Sequence, residues 1–261
     1  MQTNFKRVPA LDKSFAIIEL MARSGTAFSI NEVVRKLRLN KSTVFNIMHT
    51  LTDLKVLERG SDGLFRLGTQ LYVLGSAAAN GSGLIQAVHP YLVDINRQTR
   101  LSAFLGIRSG RHAVIVDKVD NAPDIKISSE IGMRLSIFAG AGGKALISTL
   151  PDEEINRLLA TIQLKPYTAK TITDKTAFRK VILQTRQEGI ALDREEYIEG
   201  IVALAVPLNT QRDNLQAAVW VVGLSQQLSA ARVPEYTVLL KNVAADINSR
   251  LAAAAGPMLA A

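Results

Sequence analysis

Two groups of residues in this chain carry side chains or backbone able to do chemistry. The first is Lys41-Ser42-Thr43 with Asn46 close behind. On a helix that spacing puts a cation, two hydroxyls and a carboxamide near one end of one face. A lysine there meets phosphates, and Ser, Thr and Asn are long enough to reach base edges in the major groove of DNA. Arg59 and Arg66 stand on either side of Gly60-Ser61-Asp62-Gly63 and add two further cations. The second group is Gly140-Ala141-Gly142-Gly143-Lys144-Ala145. A glycine-rich entry into a helix leaves backbone N–H groups without intrahelical acceptors, and such groups bind a small anion. The run lacks the spacer and the Lys-Ser/Thr ending of a nucleotide phosphate loop, and it is not Gly-x-Gly-x-x-Gly after a strand.

Catalytic constellations are not evident. There is no cysteine, so thiolate zinc sites, disulfides and cysteine nucleophiles are excluded. The histidines are His49, His89 and His112, too few and too scattered for a multi-histidine metal site. Neither Gly-x-Ser-x-Gly nor His-Glu-x-x-His occurs. Asp193, Glu195, Glu196 and Glu199 cluster without a histidine or other organising partner and read as a solvated loop. No catalytic residue, metal or cofactor is expected.

The elements that must position the first group lie in the first 68 residues. Apolar positions 11, 15, 18 and 21 have helical spacing, and Ser24-Gly25 stops that helix. Ser29-Ile30-Asn31-Glu32 is a capping box that opens a short helix with Val33, Val34 and Leu37 inward. After a break at Leu39-Asn40, a third helix starts near Lys41 with Asn40 as its cap. It buries Val44, Ile47, Met48 and Leu51 and presents Lys41, Ser42, Thr43, Asn46 and His49. Residues 56–59 and 64–68 then form a hairpin around the glycine-bearing loop. Three helices and a hairpin make a winged helix-turn-helix. Residues 1–68 hold 11 basic and 6 acidic residues, a net +5 out of +8 for the 261-residue chain. A nucleic-acid-binding head accounts for that excess; the alternative is a winged-helix adaptor that binds protein alongside a ligand-sensing domain.

A helix over 69–79 leaves the head, displays Tyr72, Val73 and Ala77, and ends at Asn80-Gly81-Ser82-Gly83. The body, residues 84–255, opens with a helix over about 84–99. Strands are expected at 101–107, 112–119, 124–130, 190–193, 202–208 and 215–224. Helices are expected at 140–150, from Pro151, at 175–188 and at 233–254. This is an α+β body with a mainly antiparallel sheet. No apolar run reaches the ~18–20 residues of a membrane span, and the first residues lack a signal-peptide core. A cytoplasmic location is therefore expected.

The order and spacing of several short runs resemble the IclR family of bacterial transcriptional regulators. In the head these are Asn40-Lys41-Ser42-Thr43-Val44, Leu51-Thr52-Asp53-Leu54 and Phe65-Arg66-Leu67-Gly68. In the body they are Gly143-Lys144-Ala145, Leu150-Pro151-Asp152-Glu153-Glu154, Thr171-Ile172-Thr173-Asp174, the run from Arg186 to Glu196, Gly200, Pro207 and Gly223. The resemblance implies a winged head (1–68), a linker helix (69–83) and a GAF-like effector-binding domain (84–255). It implies homodimers through the heads, often paired into homotetramers, that bind double-stranded operator DNA. Members repress more often than they activate, commonly controlling catabolic operons in response to small organic or aromatic acids.

Pocket positions carried over from the resemblance are the backbone N–H groups of Ala141 and Gly142 for an effector carboxylate. Asp193 is the acidic member, and Leu135 and Ile201 are apolar walls. Three positions depart from the pattern for small oxoacids. Ala203 stands where a cysteine can stand, and Trp220 and Val222 stand where hydroxyl residues can. A small polar acid loses hydrogen bonds at such a site, whereas an aromatic or hydrophobic carboxylic acid can stack on Trp220.

Overall fold

A computed structural model describes residues 6–120, 129–211 and 215–255. The chain divides into two compact units, Met1–Ser82 and Gly83–Ala261.

The first unit begins with α1 (Pro9–Ser24), α2 (Ile30–Leu37) and α3 (Lys41–Asp53). The capping box is formed: the Glu32 N–H donates to Ser29 Oγ at 3.3 Å, and the Ser29 N–H donates to Glu32 Oε2 at 2.8 Å. Asn40 caps α3 by accepting from the Ser42 N–H at 2.9 Å. The apolar residues the helices turn inward meet in one core of Ile17, Met21, Val33, Val44, Met48 and Leu51, closed by Phe28, Leu57 and Phe65. The wing is β1 (Leu57–Arg59) against β2 (Phe65–Leu67), antiparallel, with Glu58 opposite Arg66. One contact was not foreseen from sequence. Phe28 and Phe65 exchange both backbone hydrogen bonds, at 2.9 and 2.8 Å, so the wing is laced to the segment before α2.

The next helix, α4 (Thr69–Ser82), runs through the Asn80-Gly81-Ser82 stretch expected to end it. Only Gly83, at φ 61°, separates it from α5 (Leu84–Thr99). A single left-handed glycine is enough to break one helix and start the next. None of the residues of α4 described by burial is fully buried, and Tyr72, Val73 and Leu74 are exposed.

The second unit is built on a six-stranded antiparallel sheet in the order β5-β4-β3-β8-β7-β6. Its strands are β3 (Ser102–Ser109), β4 (His112–Val119), β5 (Arg134–Ser136), β6 (Ala191–Arg194), β7 (Ile201–Leu208) and β8 (Ala217–Leu224). Helices α5 and α9 (Val233–Ala255) pack on one face through Val88, Leu92, Ile95, Leu240 and Ile247. Helices α6 (Gly140–Ser148), α7 (Asp152–Ala160) and α8 (Lys175–Glu188) cover the other through Ala145, Leu146, Ile155, Phe178 and Ile182. With both faces covered, β7 and β8 read as nearly continuous apolar runs rather than alternating ones. The caps of α8 are those the sequence signals: Asp174 accepts from the Ala177 N–H at 2.7 Å, and Gly189 ends the helix.

The strand expected at 124–130 falls largely on residues outside those described. Strand β5 was not expected, because three residues are too short a run to show a period of two. Helix α6 stops at Ser148, two residues short of the expected end.

The capping box yields a stability prediction. Ser29→Ala should destabilise the head by about 0.5–2 kcal/mol, while Ser29→Thr should retain most of the cap; urea denaturation followed by circular dichroism measures both.

Candidate functional site

The head presents one polar face of α3. Lys41, Ser42 and Asn46 are exposed and Thr43 is half-buried. The Ser42 hydroxyl donates to Asn40 Oδ1 at 2.7 Å, so its proton serves the cap and its lone pairs are left outward. His49 is not a free member of this face. Its ring is half-buried between Phe45 (centroids 4.3 Å apart) and the edge of Phe65 (5.7 Å). Phe45 itself is 49% exposed in the middle of the polar face, a position the apolar-inward reading passed over.

The wing arginines differ. The Arg59 guanidinium lies 5.5 Å from the Phe65 ring centroid. Arg66 grips both carboxylate oxygens of Asp62 across the loop, at 3.2 and 2.5 Å, which holds the Asp62 carboxyl down at about 2. Exposed pairs of this kind contribute little, so the guanidinium can be exchanged onto a phosphate.

The body holds a cavity of about 320 Å³ between α6 and the sheet. All eight positions carried over from the resemblance line it: Leu135, Ala141, Gly142, Asp193, Ile201, Ala203, Trp220 and Val222. Strand register explains why. Asp193, Ala203 and Val222 are aligned across β6, β7 and β8, while Ala205, Trp220 and Phe104 are aligned across β7, β8 and β3. Paired residues share a face, and both rows face α6. Trp220 stacks on Phe104 with centroids 5.9 Å apart. Space for the indole comes from glycine: a Cβ at Gly106 would lie 2.2 Å from Trp220 Cη2, and one at Gly142 would lie 3.0 Å from Cε3. The first-turn N–H groups of α6, at Ala141 and Gly142, are thus set beside an aromatic floor.

Further lining residues escaped the sequence reading, among them Phe104, Met133, Tyr167 and Tyr197. Tyr167 and Tyr197 meet edge to face with centroids 4.8 Å apart. Both stand outside regular helices and strands, where no periodicity marks a side chain as inward. Phe104 was readable as the partner of Trp220 only once the strand register was known.

Of the four clustered acids, Glu199 is exposed as expected of a solvated loop, but Asp193, Glu195 and Glu196 are not. Asp193 is 4% exposed. Burial pushes its carboxyl up to about 6, helped by the Glu196 carboxylate and opposed by the Glu196 N–H at 2.6 Å and the Lys144 ammonium. Lys144, from the first turns of α6, is 1% exposed and donates to Leu192 O at 2.8 Å and Glu196 Oε1 at 2.5 Å. Glu195 takes Lys170 at 2.8 Å and the Gly200 N–H at 3.0 Å. The sequence reading misjudged Asp193, Glu195 and Glu196 because their partners are Lys144 and Lys170, distant in sequence, and backbone N–H groups, not histidines. Among the described residues no group of three or more His, Cys, Asp or Glu is arranged to hold a metal, and no helix is long and apolar enough to cross a membrane.

A winged-helix DNA-binding head followed by an α+β body with a cavity at a helix start defines a class: the ligand-binding transcriptional regulators. The chain belongs to the IclR family within it. The model of the bacterial transcriptional regulator IclR C-terminal domain matches residues 76–249, and the IclR helix-turn-helix domain matches residues 10–61. Relatives include the HTH-type transcriptional regulator XynR of Escherichia coli strain K12, 27% identical over 94% of this chain and 97% of that protein. The HTH-type transcriptional repressor AllR of the same strain is 24% identical over 97% of this chain and 93% of its own length. Among solved structures, the Thermotoga maritima IclR has a TM-score of 0.68 at 26% identity, covering 94% of this chain and 99% of that one. An IclR homolog of Microbacterium hydrocarbonoxydans, complexed with 4-hydroxybenzoate, has a TM-score of 0.77 at 23% identity, with the same coverage.

Breaking the buried pair tests its place in the site. Lys144→Met should cost about 3–5 kcal/mol by stranding Glu196, and Lys144→Met with Glu196→Leu should recover most of that loss; paired urea denaturation curves measure the recovery.

Proposed function

We propose that this protein is a cytoplasmic, ligand-responsive repressor of a catabolic operon. In this reading residues 1–68 read operator DNA, 69–83 link, and 84–255 sense an aromatic or otherwise hydrophobic carboxylic acid. The observation that carries the effector class is the pairing of Trp220 and Phe104 with the free N–H groups of α6 in one cavity. The carboxylate takes the Ala141 and Gly142 N–H groups and the ring lies on the indole. Ala203 and Val222 add apolar surface and no hydrogen bonds for a small oxoacid. The 4-hydroxybenzoate in the Microbacterium homolog supports a ligand of this kind.

DNA contacts in this reading come from Lys41, Ser42, Thr43, Asn46, Arg59 and Arg66. Homodimerisation through the heads, with homotetramers beyond it, is supported by apolar exposure within the first unit. Leu11 and Phe15 on α1, and Tyr72, Val73 and Leu74 on α4, are all more than half exposed.

Trp220 is the sole tryptophan, so its fluorescence reports the cavity directly. Benzoate and 4-hydroxybenzoate should change its emission and bind at least about tenfold more tightly than glyoxylate or pyruvate in calorimetry, a gap of about 1.4 kcal/mol. Tighter binding of the oxoacids would refute the effector class. Binding should also take up a proton. An incoming carboxylate beside Asp193 favours its neutral form, so affinity is highest below the Asp193 value of about 6 and falls as pH rises above it. Titration at pH 5.5, 7 and 8.5 follows that fall, and Asp193→Asn should flatten it.

DNA binding should weaken steeply with salt, and Lys41→Ala should weaken it on all sequences while lowering the slope of log K against log salt by about 1. A slope near zero would favour a protein-binding head instead.

A further inference from the structure

The polar face of α3 contains one residue that neither a phosphate nor a polar base edge explains. Phe45 lies on the same stripe as Ser42 and His49, three and four residues away, which is neighbour spacing on a helix, and Asn46 follows it on the adjoining row. It is 49% exposed, while Val44, Met48 and Leu51, all to one flank of it, fill the core. Its ring is nevertheless held in place. One side packs on His49 at 4.3 Å, His49 stands against the edge of Phe65 at 5.7 Å, and Phe65 is 1% exposed and covered by the Arg59 guanidinium at 5.5 Å. The result is a ladder of rings from the wing to the outer face of α3, ending in a phenyl whose other side is open.

In the major groove the base-pair edges present donors, acceptors and small C–H groups, and the thymine C5-methyl is the one apolar alkyl group. An apolar ring set among Ser42, Asn46 and Lys41 has that methyl as its matching surface on DNA. We propose that Phe45 is a specificity-determining residue that packs on a thymine C5-methyl next to the base contacted by Asn46. Ser42 and Asn46 then read hydrogen-bonding groups, and Phe45 selects for thymine over cytosine at the adjoining position. This inference rests on α3 being the recognition helix.

The test starts from an oligonucleotide selected from a random library by the full-length protein. Each thymine in it is replaced singly by deoxyuridine, which removes the methyl and leaves every hydrogen-bonding group. At one position the replacement should weaken binding by about fourfold, the size expected for one buried methyl. In Phe45→Ala, and in Phe45→Gln as a polar variant of similar length, the thymine and deoxyuridine oligonucleotides should bind equally, whatever the variant's overall affinity. Asn46→Ala should keep the deoxyuridine effect and relax preference at a different base. The proposal is overturned if no thymine responds, or if the response survives in both Phe45 variants. A failure of the recognition-helix reading shows differently: Asn46→Ala would then leave the selected sequence unchanged.

Discussion

The packing of one indole against two glycines organises the ligand-facing half of the body. Trp220 sits on β8, in the middle of the sheet, where it cannot turn to solvent. Its ring needs the volume that a side chain at Gly106 would fill, and it lies against Gly142 in the first turn of α6. Any shift of that helix end toward the sheet is stopped by the ring. The distance between α6 and the strands is therefore set by tryptophan on one side and glycine on the other. That fixed spacing leaves a cavity beside the helix start instead of a collapsed interface.

Lys144 secures the same helix from its opposite flank. An ammonium that is buried inside a protein must be neutralised and hydrogen-bonded, and here the Leu192 carbonyl and the Glu196 carboxylate do both. The contacts bind α6 to β6, which carries Leu192 and Asp193, and to the segment after it, which carries Glu196 and leads to Tyr197. The first turns of α6, Asp193 and the segment leading to Tyr197 are thus tied together. The raised Asp193 carboxyl is a by-product of the same burial: the residue lies where water is excluded and a second carboxylate is close.

Most helices were legible because their signals are local. Ser29 with Glu32, Asn40 before Lys41, and Asp174 with Gly189 mark ends by chemistry that acts over one turn. The cavity residues Trp220, Val222 and Ala203 were legible through family resemblance, since nothing in an apolar strand buried on both faces says which side a residue takes. Phe104 and Gly106 depended on the pairing of β3 with β8, across more than a hundred residues of chain. The meaning of Glu196 depended on Lys144 in the same way. Phe45 was missed for a different reason: the rule that apolar residues point inward holds only in one direction, and an aromatic on a polar face is information rather than noise.

The Phe28–Phe65 bridge gives the wing a thermodynamic character. A two-stranded hairpin of three-residue strands is marginal alone, and a loose one would have to be ordered at each encounter with a partner. Here β2 is hydrogen-bonded on both edges, to β1 and to Phe28, and its phenyl is in the core. The conformational entropy of the wing backbone is already lost on folding. Arg59 therefore stands on a fixed platform, so any contact it makes orders one side chain rather than a whole loop.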